Sequence, residues 1–205
     1  MKKKMMSLMA VTALLLGGVQ TVNAQNWRNA PQYHFCVRAG FSDTQALADD
    51  WDGGICSKDK FAPMGGVAFD AKIAKLPFYI ETGAYFMNRG LKYSADDYQA
   101  GSSSPGPYRV TWSEDNNSLL IPVMFSYHAY INKDMSFQPF FGPYVAFGFE
   151  DDATDYGLRM GCGFNVKQFY VNMGLDAGLR GDFNTHEGNV SSLFMTVGWN
   201  FLGKR

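Results

Sequence analysis

The chain has 205 residues, of which 46% are apolar, 16% aromatic and 18% charged, and its formal net charge is −1. So even a balance leaves no electrostatic footprint for nucleic acid, and this length fits one domain. The three cysteines, Cys36, Cys56 and Cys162, are odd in number and leave at least one free thiol, and with no CxxC or Cys/His spacing a metal site is not expected.

Residues 1–24 read as a secretory signal peptide. Lys2, Lys3 and Lys4 form a basic start, Met5 to Val19 an apolar centre, and Val22-Asn23-Ala24 a small-residue cleavage site before Gln25. The apolar run is short and broken by Gly17-Gly18, unlike a membrane-spanning helix. No cysteine follows the cleavage site, so a lipoprotein anchor is not indicated. Residues 25–205 are expected to form one domain, with 15 basic residues against 19 acidic ones.

Eight strands are predicted from period-two alternation. The first, Tyr33 to Phe41, sets Tyr33, Phe35, Val37, Ala39 and Phe41 against His34, Cys36, Arg38 and Gly40. The second, Phe61 to Ile73, is blurred by Pro63 and Gly65-Gly66. The third begins at Phe78 and reaches at least Phe86, with Tyr79, Glu81, Gly83 and Tyr85 on one face. Leu119 to Ile131 and Phe137 to Phe149 follow. Thr154 to Val166 and Phe169 to Arg180 form a hairpin over Lys167-Gln168, and Leu193 to Phe201 is the last strand.

Turning the hairpin over Lys167-Gln168 sets Phe164 opposite Val171, Gly161 opposite Gly174, Arg159 opposite Asp176 and Asp155 opposite Arg180. A one-residue slip would bring polar faces onto apolar ones. One face carries all the charge and most of the glycine. The other carries no charge and is dominated by Phe, Leu, Val and Met. Glycine is a poor solvent-facing strand residue but suits a narrow lumen. The apolar face therefore belongs outside, against lipid, and strands of ten or more residues suit a tilted crossing of the bilayer.

The connections alternate in length. Ala74–Pro77, Asn132–Asp134 and Lys167-Gln168 are short, whereas Ser42–Lys60, Met87–Ser118, Glu150–Ala153 and Gly181–Ser192 are mostly long and polar. Short turns toward the periplasm and longer loops outside fit a barrel in the cell outer membrane. Aromatic residues gather at the strand ends as interfacial girdles.

The segments FYIETGAYFMNRG (78–90), NSLLIPVMFSYHAY (117–130), FQPFFGPYVAFGF (137–149) and DYGLRMGCGFNV (155–166) resemble the PorT-like outer-membrane barrels of Bacteroidetes. Leu120-Ile121-Pro122 and Gly142-Pro143-Tyr144 are the most specific parts. The resemblance spans nearly all of residues 25–205 and implies an envelope protein, with a link to protein secretion. The chain departs from the barrel habit of ending on an aromatic residue: Phe201 is followed by Leu202-Gly203-Lys204-Arg205.

Candidate chemistry is sparse. Ser126 and His128 share a face, ~6–7 Å apart along the strand and near the periplasmic end, beyond direct hydrogen-bond reach without favourable rotamers. His34 also lies near that rim, and His186 falls in a loop. Asp49, Asp50 and Asp52, and Glu150, Asp151 and Asp152, read as solvated loop tips, because the first group lacks the further ligands of a calcium loop. The inward charges Arg38, Asp70, Glu81, Asp155, Arg159, Asp176 and Arg180 are expected to form a paired, structural network in the lumen. The expectation is a non-enzymatic barrel with a structural or interaction role, no cofactor and no nucleic-acid partner. Outer-membrane lipid surrounds it, and loops 42–60 and 87–118 carry any protein recognition. A narrow pore and a lipid-modifying enzyme are the alternatives.

Overall fold

A computed structural model describes residues 30–46, 55–97, 108–149, 154–181 and 190–203. The leader, the acidic groups at 49–52 and 150–152, and His186 lie outside them. The elements are β1 (Tyr33–Ala46), β2 (Ile55–Lys58), β3 (Lys60–Lys72), β4 (Phe78–Asn88), β5 (Lys92–Asp97), β6 (Tyr108–Ser113), β7 (Asn117–Tyr127), β8 (Ala129–Tyr130), β9 (Met135–Gly148), β10 (Thr154–Val166), β11 (Phe169–Gly181) and β12 (Val190–Gly203).

Eight antiparallel strands close on themselves in the order β10-β11-β12-β1-β3-β4-β7-β9, with β9 returning to β10 and the short β8 continuing β7 along β9. Closure leaves no wall strand with an unpaired edge. The start of β1 lies beside the end of β12, because His34 pairs with Gly203. That end also holds the tight turns at 73–77, 131–134 and 167–168.

Burial follows sequence parity. Val67, Ile80, Val123, Phe141, Met173, Leu193 and Val197 point outward, with Met173 and Val197 each 51% exposed. Their neighbours in sequence, among them Ala68, Glu81, Met124, Phe140, Asn172, Phe194 and Thr196, turn inward. In water each such side chain would forgo about 1.5–3 kcal/mol of burial, so this exterior is built for hydrocarbon. Aromatic pairs frame it at both ends. Phe169 meets Trp199 edge-on with ring centres 4.5 Å apart, and Phe78 stacks on Phe125 at 5.0 Å on the turn side. Phe41 meets Phe61 at 4.9 Å on the loop side. Such rings suit the two lipid–water boundaries.

Several sequence expectations need correction. Loops 42–60 and 87–118 are not wholly irregular: β1 runs on to Ala46, and β2, β5 and β6 form a separate three-stranded sheet beyond the wall. The fourth predicted strand, Leu119 to Ile131, breaks at His128, whose backbone N–H donates to the Pro77 carbonyl at 2.8 Å. The hairpin register holds from Val166 to Gly157 and then shifts, so that Arg180 pairs with Tyr156 and Asp155 with Gly181. A bulge at Leu179 takes up the extra residue, and Asp155 and Arg180 do not face each other.

Candidate functional site: the barrel interior

The wall places large side chains where a neighbouring strand offers glycine. A Cβ on Gly163 would lie 2.1 Å from the Tyr170 hydroxyl, and one on Gly157 would lie 2.7 Å from the Tyr144 hydroxyl. Glycine on one strand thus makes room for tyrosine on its neighbour. Tyr79, Tyr85, Tyr144, Tyr170, Phe140 and Phe194, with Met64, Met87, Leu120 and Met124, fill the centre. A small barrel filled in this way is a core rather than a conduit.

Charges sit within this filling at successive heights. Nearest the loops, Arg89 Nη2 lies 2.7 Å from Asp155 Oδ2 and donates to the Tyr144 hydroxyl at 3.0 Å. Below it, Arg159 grips Asp176 with two bonds, Nε to Oδ1 at 2.6 Å and Nη2 to Oδ2 at 2.7 Å. This fork-on-carboxylate geometry is the strong form of the interaction. The same guanidinium lies 4.2 Å from the Phe194 ring centre and 4.9 Å from that of Tyr85. Lower again, Arg38 Nη1 donates to Glu81 at 2.6 Å and to the Tyr85 hydroxyl at 2.7 Å, and its guanidinium lies 4.3 Å from the Tyr170 ring centre. All six of these ionic side chains are at most 4% exposed.

The turn-side layer is different. Asp70 Oδ1 meets His34 Nδ1 at 2.7 Å, and Asp70 Oδ2 lies 3.9 Å from His128 Nε2. Tyr79 stacks flat on His128 at 3.8 Å between ring centres and donates its hydroxyl to the Pro31 carbonyl. Ser126 Oγ and His128 Nε2 are 3.2 Å apart, so the break after Tyr127 brings together a pair that a straight strand would hold apart. A relay that activates serine needs the carboxylate on the other ring nitrogen. Here serine and carboxylate approach the same Nε2, and His128 Nδ1 has no hydrogen-bond partner among the described residues. A cavity of about 600 Å³ opens at this end, lined by His34, Tyr130, Lys133, Ser136, Asn165 and Lys167 among others.

Of the seven charges predicted from sequence, Arg38, Asp70, Glu81, Asp155, Arg159 and Asp176 lie in the interior. The side chain of Arg180 is outside the described residues. Sequence reading missed Arg89, assigned to a loop, and the partnership of Asp70 with His34. The signal for Arg89 was present: the inward parity of Tyr79, Glu81, Tyr85 and Met87 continues to it. Cys36 is buried and Cys162 half-buried, and both are free thiols; the side chain of Cys56 is outside the described residues. Among the described residues no group of three or more His, Cys, Asp or Glu has a metal-holding arrangement.

A closed antiparallel wall, an apolar exterior between aromatic rings and a polar, filled interior define a small eight-stranded transmembrane barrel of the outer-membrane type. The chain is similar to the outer membrane protein OprG from Pseudomonas aeruginosa, with a TM-score of 0.51 and 13% identity over 84% of this chain and 97% of that one. It is also similar to Ail, the attachment invasion locus protein of Yersinia pestis, solved with the heparin analogue sucrose octasulfate (TM-score 0.44, 11% identity, 83% of this chain and 99% of that one). Neisserial surface protein A matches with a TM-score of 0.42 and 10% identity, over 84% of this chain and 99% of that one. At these identities the likeness is one of fold. No protein-family model matches the chain, and no curated protein matches it in sequence.

Proposed function

We propose that the protein is a structural and interaction component of the cell outer membrane, accessory to protein secretion, with a closed lumen and recognition carried by residues 42–60 and 87–118. The observation that carries this reading is the stack of buried ion pairs, Arg89–Asp155, Arg159–Asp176 and Arg38–Glu81, which blocks the lumen at three heights. A barrel that neither conducts nor holds an aligned catalytic group presents its surroundings with lipid-facing walls and projecting loops. The link to secretion comes from the likeness of segments 78–90, 117–130, 137–149 and 155–166 to PorT-like sequences. The cavity at the turn end favours a second reading, a gated pore whose mouth it forms.

A deletion strain profiled for secreted proteins and envelope lipids tests the first reading, and planar-bilayer recording of purified protein tests the second. Altered secretion, unchanged lipid acylation and no discrete conductance are expected. Altered acylation would move the assignment to a lipid-modifying enzyme, and discrete wild-type conductance to a pore.

A further inference from the structure

Leu120-Ile121-Pro122 and Gly142-Pro143-Tyr144 lie on adjacent strands, β7 and β9, with Pro122 directly opposite Tyr144. Each puts a proline inside a closed wall, where every strand has a neighbour on both sides. Proline brings no N–H, so sheets normally confine it to edges and bulges. The ladders show the result. Between β4 and β7 pairing runs to Thr82↔Val123, skips Gly83 and Ala84 opposite Pro122 and Ile121, and resumes in the same register at Tyr85↔Leu120. Between β7 and β9 it runs to Pro122↔Tyr144, skips Val123 and Met124 opposite Pro143 and Gly142, and resumes in the same register at Phe125↔Phe141. Pro122 keeps its place in the ladder with β9, and Pro143 keeps its place in the ladder with β10. The missing donor of Pro122 is therefore the one that would serve β4, and that of Pro143 the one that would serve β7. The carbonyls opposite them, of Gly83 and Val123, receive no ladder bond. The other wall ladders are continuous apart from register shifts after Phe35 and Tyr156.

Little else ties this stretch to its neighbours. In hydrocarbon no water takes the place of a lost ladder bond. From Asn117 to Tyr127, β7 carries no charged residue. The ion pairs of the lumen, Arg38–Glu81, Arg159–Asp176 and Arg89–Asp155, all join other parts of the wall. On the inner face Leu120 and Met124 belong to the same apolar cluster as Met64 and Met87. Such contacts have no direction, and methionine adapts readily to altered packing. One polar strap spans the first gap: the Thr82 hydroxyl donates to the Pro122 carbonyl at 2.9 Å.

We infer that residues 121–124 of β7 form a lateral hinge built into the wall, which parts here from β4 and β9 while the other ladders and the three ion pairs stay closed. The hinge gives onto hydrocarbon, because Val123 and its neighbours Ile80 and Phe141 are exposed on the outer face. A barrel with a filled lumen thus changes shape sideways, into the bilayer, rather than along its axis.

The test is amide hydrogen exchange of the full-length protein in lipid nanodiscs, resolved residue by residue by NMR. Ile121, Val123 and Met124 are compared with Met173, which is paired on both sides in continuous ladders. After correction for intrinsic rates, the β7 amides should exchange at least about tenfold faster, because two missing bonds make local opening easier. Pro122→Ala combined with Pro143→Ala restores both donors and should bring the ratio close to one. Thr82→Val removes the strap and should raise it. Pro63→Ala, at a proline whose ladder with β1 is continuous, should leave it unchanged. Equal protection of β7 and Met173 in the wild type, or fast exchange that Thr82→Val leaves as it was, would overturn the inference. So would a folded double variant in which β7 still exchanges fast. Should the double variant not fold, the wild-type ratio and Thr82→Val decide the matter between them.

Discussion

Arg159 and Asp176 offer the sharpest test of the interior. Arg159→Met removes the cation and leaves Asp176, fully buried, without its two-bonded partner. Breaking one side of a buried pair costs about 3–5 kcal/mol, because the remaining charge is stranded in a poorly solvating interior. At ~1.4 kcal/mol per decade this lowers the folding equilibrium by two to nearly four decades. Loss of the contacts with Phe194 and Tyr85 adds about 0.5–2 kcal/mol. Asp176→Leu alone strands Arg159 and should cost a similar amount. The double variant strands nothing. It should recover most of the loss, since buried pairs replaced by apolar residues of similar size are often neutral or better. The assay is reversible urea unfolding in lipid vesicles for wild type, both single variants and the double variant, read as a coupling energy. A coupling of at least about 2 kcal/mol is expected. Additive effects within about 0.5 kcal/mol would refute the reasoning, because they would mean that water already solvates each charge.

Other outcomes follow from particular contacts. Gly163→Ala drives a methyl into the hydroxyl of Tyr170, whose buried ring lies against Arg38. Unfolding should become easier by about 1–3 kcal/mol, whereas Gly65→Ala, whose Cβ would meet its nearest atom at 3.6 Å, should be tolerated. Leu158→Arg, on the exterior, should cost about 2–4 kcal/mol in bilayers if the residue lies near mid-depth. On the loop side, Lys60 donates to Asp115 at 2.5 Å, and this bond, with help from Asn88, holds the Asp115 carboxyl below its ordinary value of 3.8. A depressed carboxylate stabilises the fold above its unfolded pKa, and that contribution disappears as pH falls through the folded value. A carboxyl-resolved NMR titration should therefore show a midpoint below 3.8 for Asp115, moving toward 3.8 in Lys60→Met.

What could be read from the chain depended on how strictly each segment alternates. β10 and β11 keep the period of two almost without a break, so their ends, register and faces were all legible down to Gly157. The bulge at Leu179 was not, because an inserted residue leaves the local apolar pattern intact and shows itself only against the partner strand. β2, β5 and β6 were hidden for a related reason. Their four to six residues carry too few alternations to stand out within polar stretches. In the interior, parity located the acidic residues but not all their partners. Asp155 is reached by Arg89 from beyond the end of β4, and Asp70 by His34 from a neighbouring strand. The Arg89–Asp155 contact reaches across the barrel and depends on closure, which no local pattern encodes, whereas His34 and Asp70 are directly paired positions on adjacent strands. The break at His128 likewise depends on the Pro77 carbonyl from another turn.

The account stands on which face of the wall meets hydrocarbon. Nitroxide labels at Met173 and Val197, introduced singly into protein lacking its native cysteines and reconstituted in bilayers, report this through their collision rates with oxygen and with a water-soluble nickel chelate. Both sites should be open to oxygen and closed to the chelate. Free access of the chelate to both, in a folded barrel, would mean that the Phe, Leu, Val and Met face looks into water.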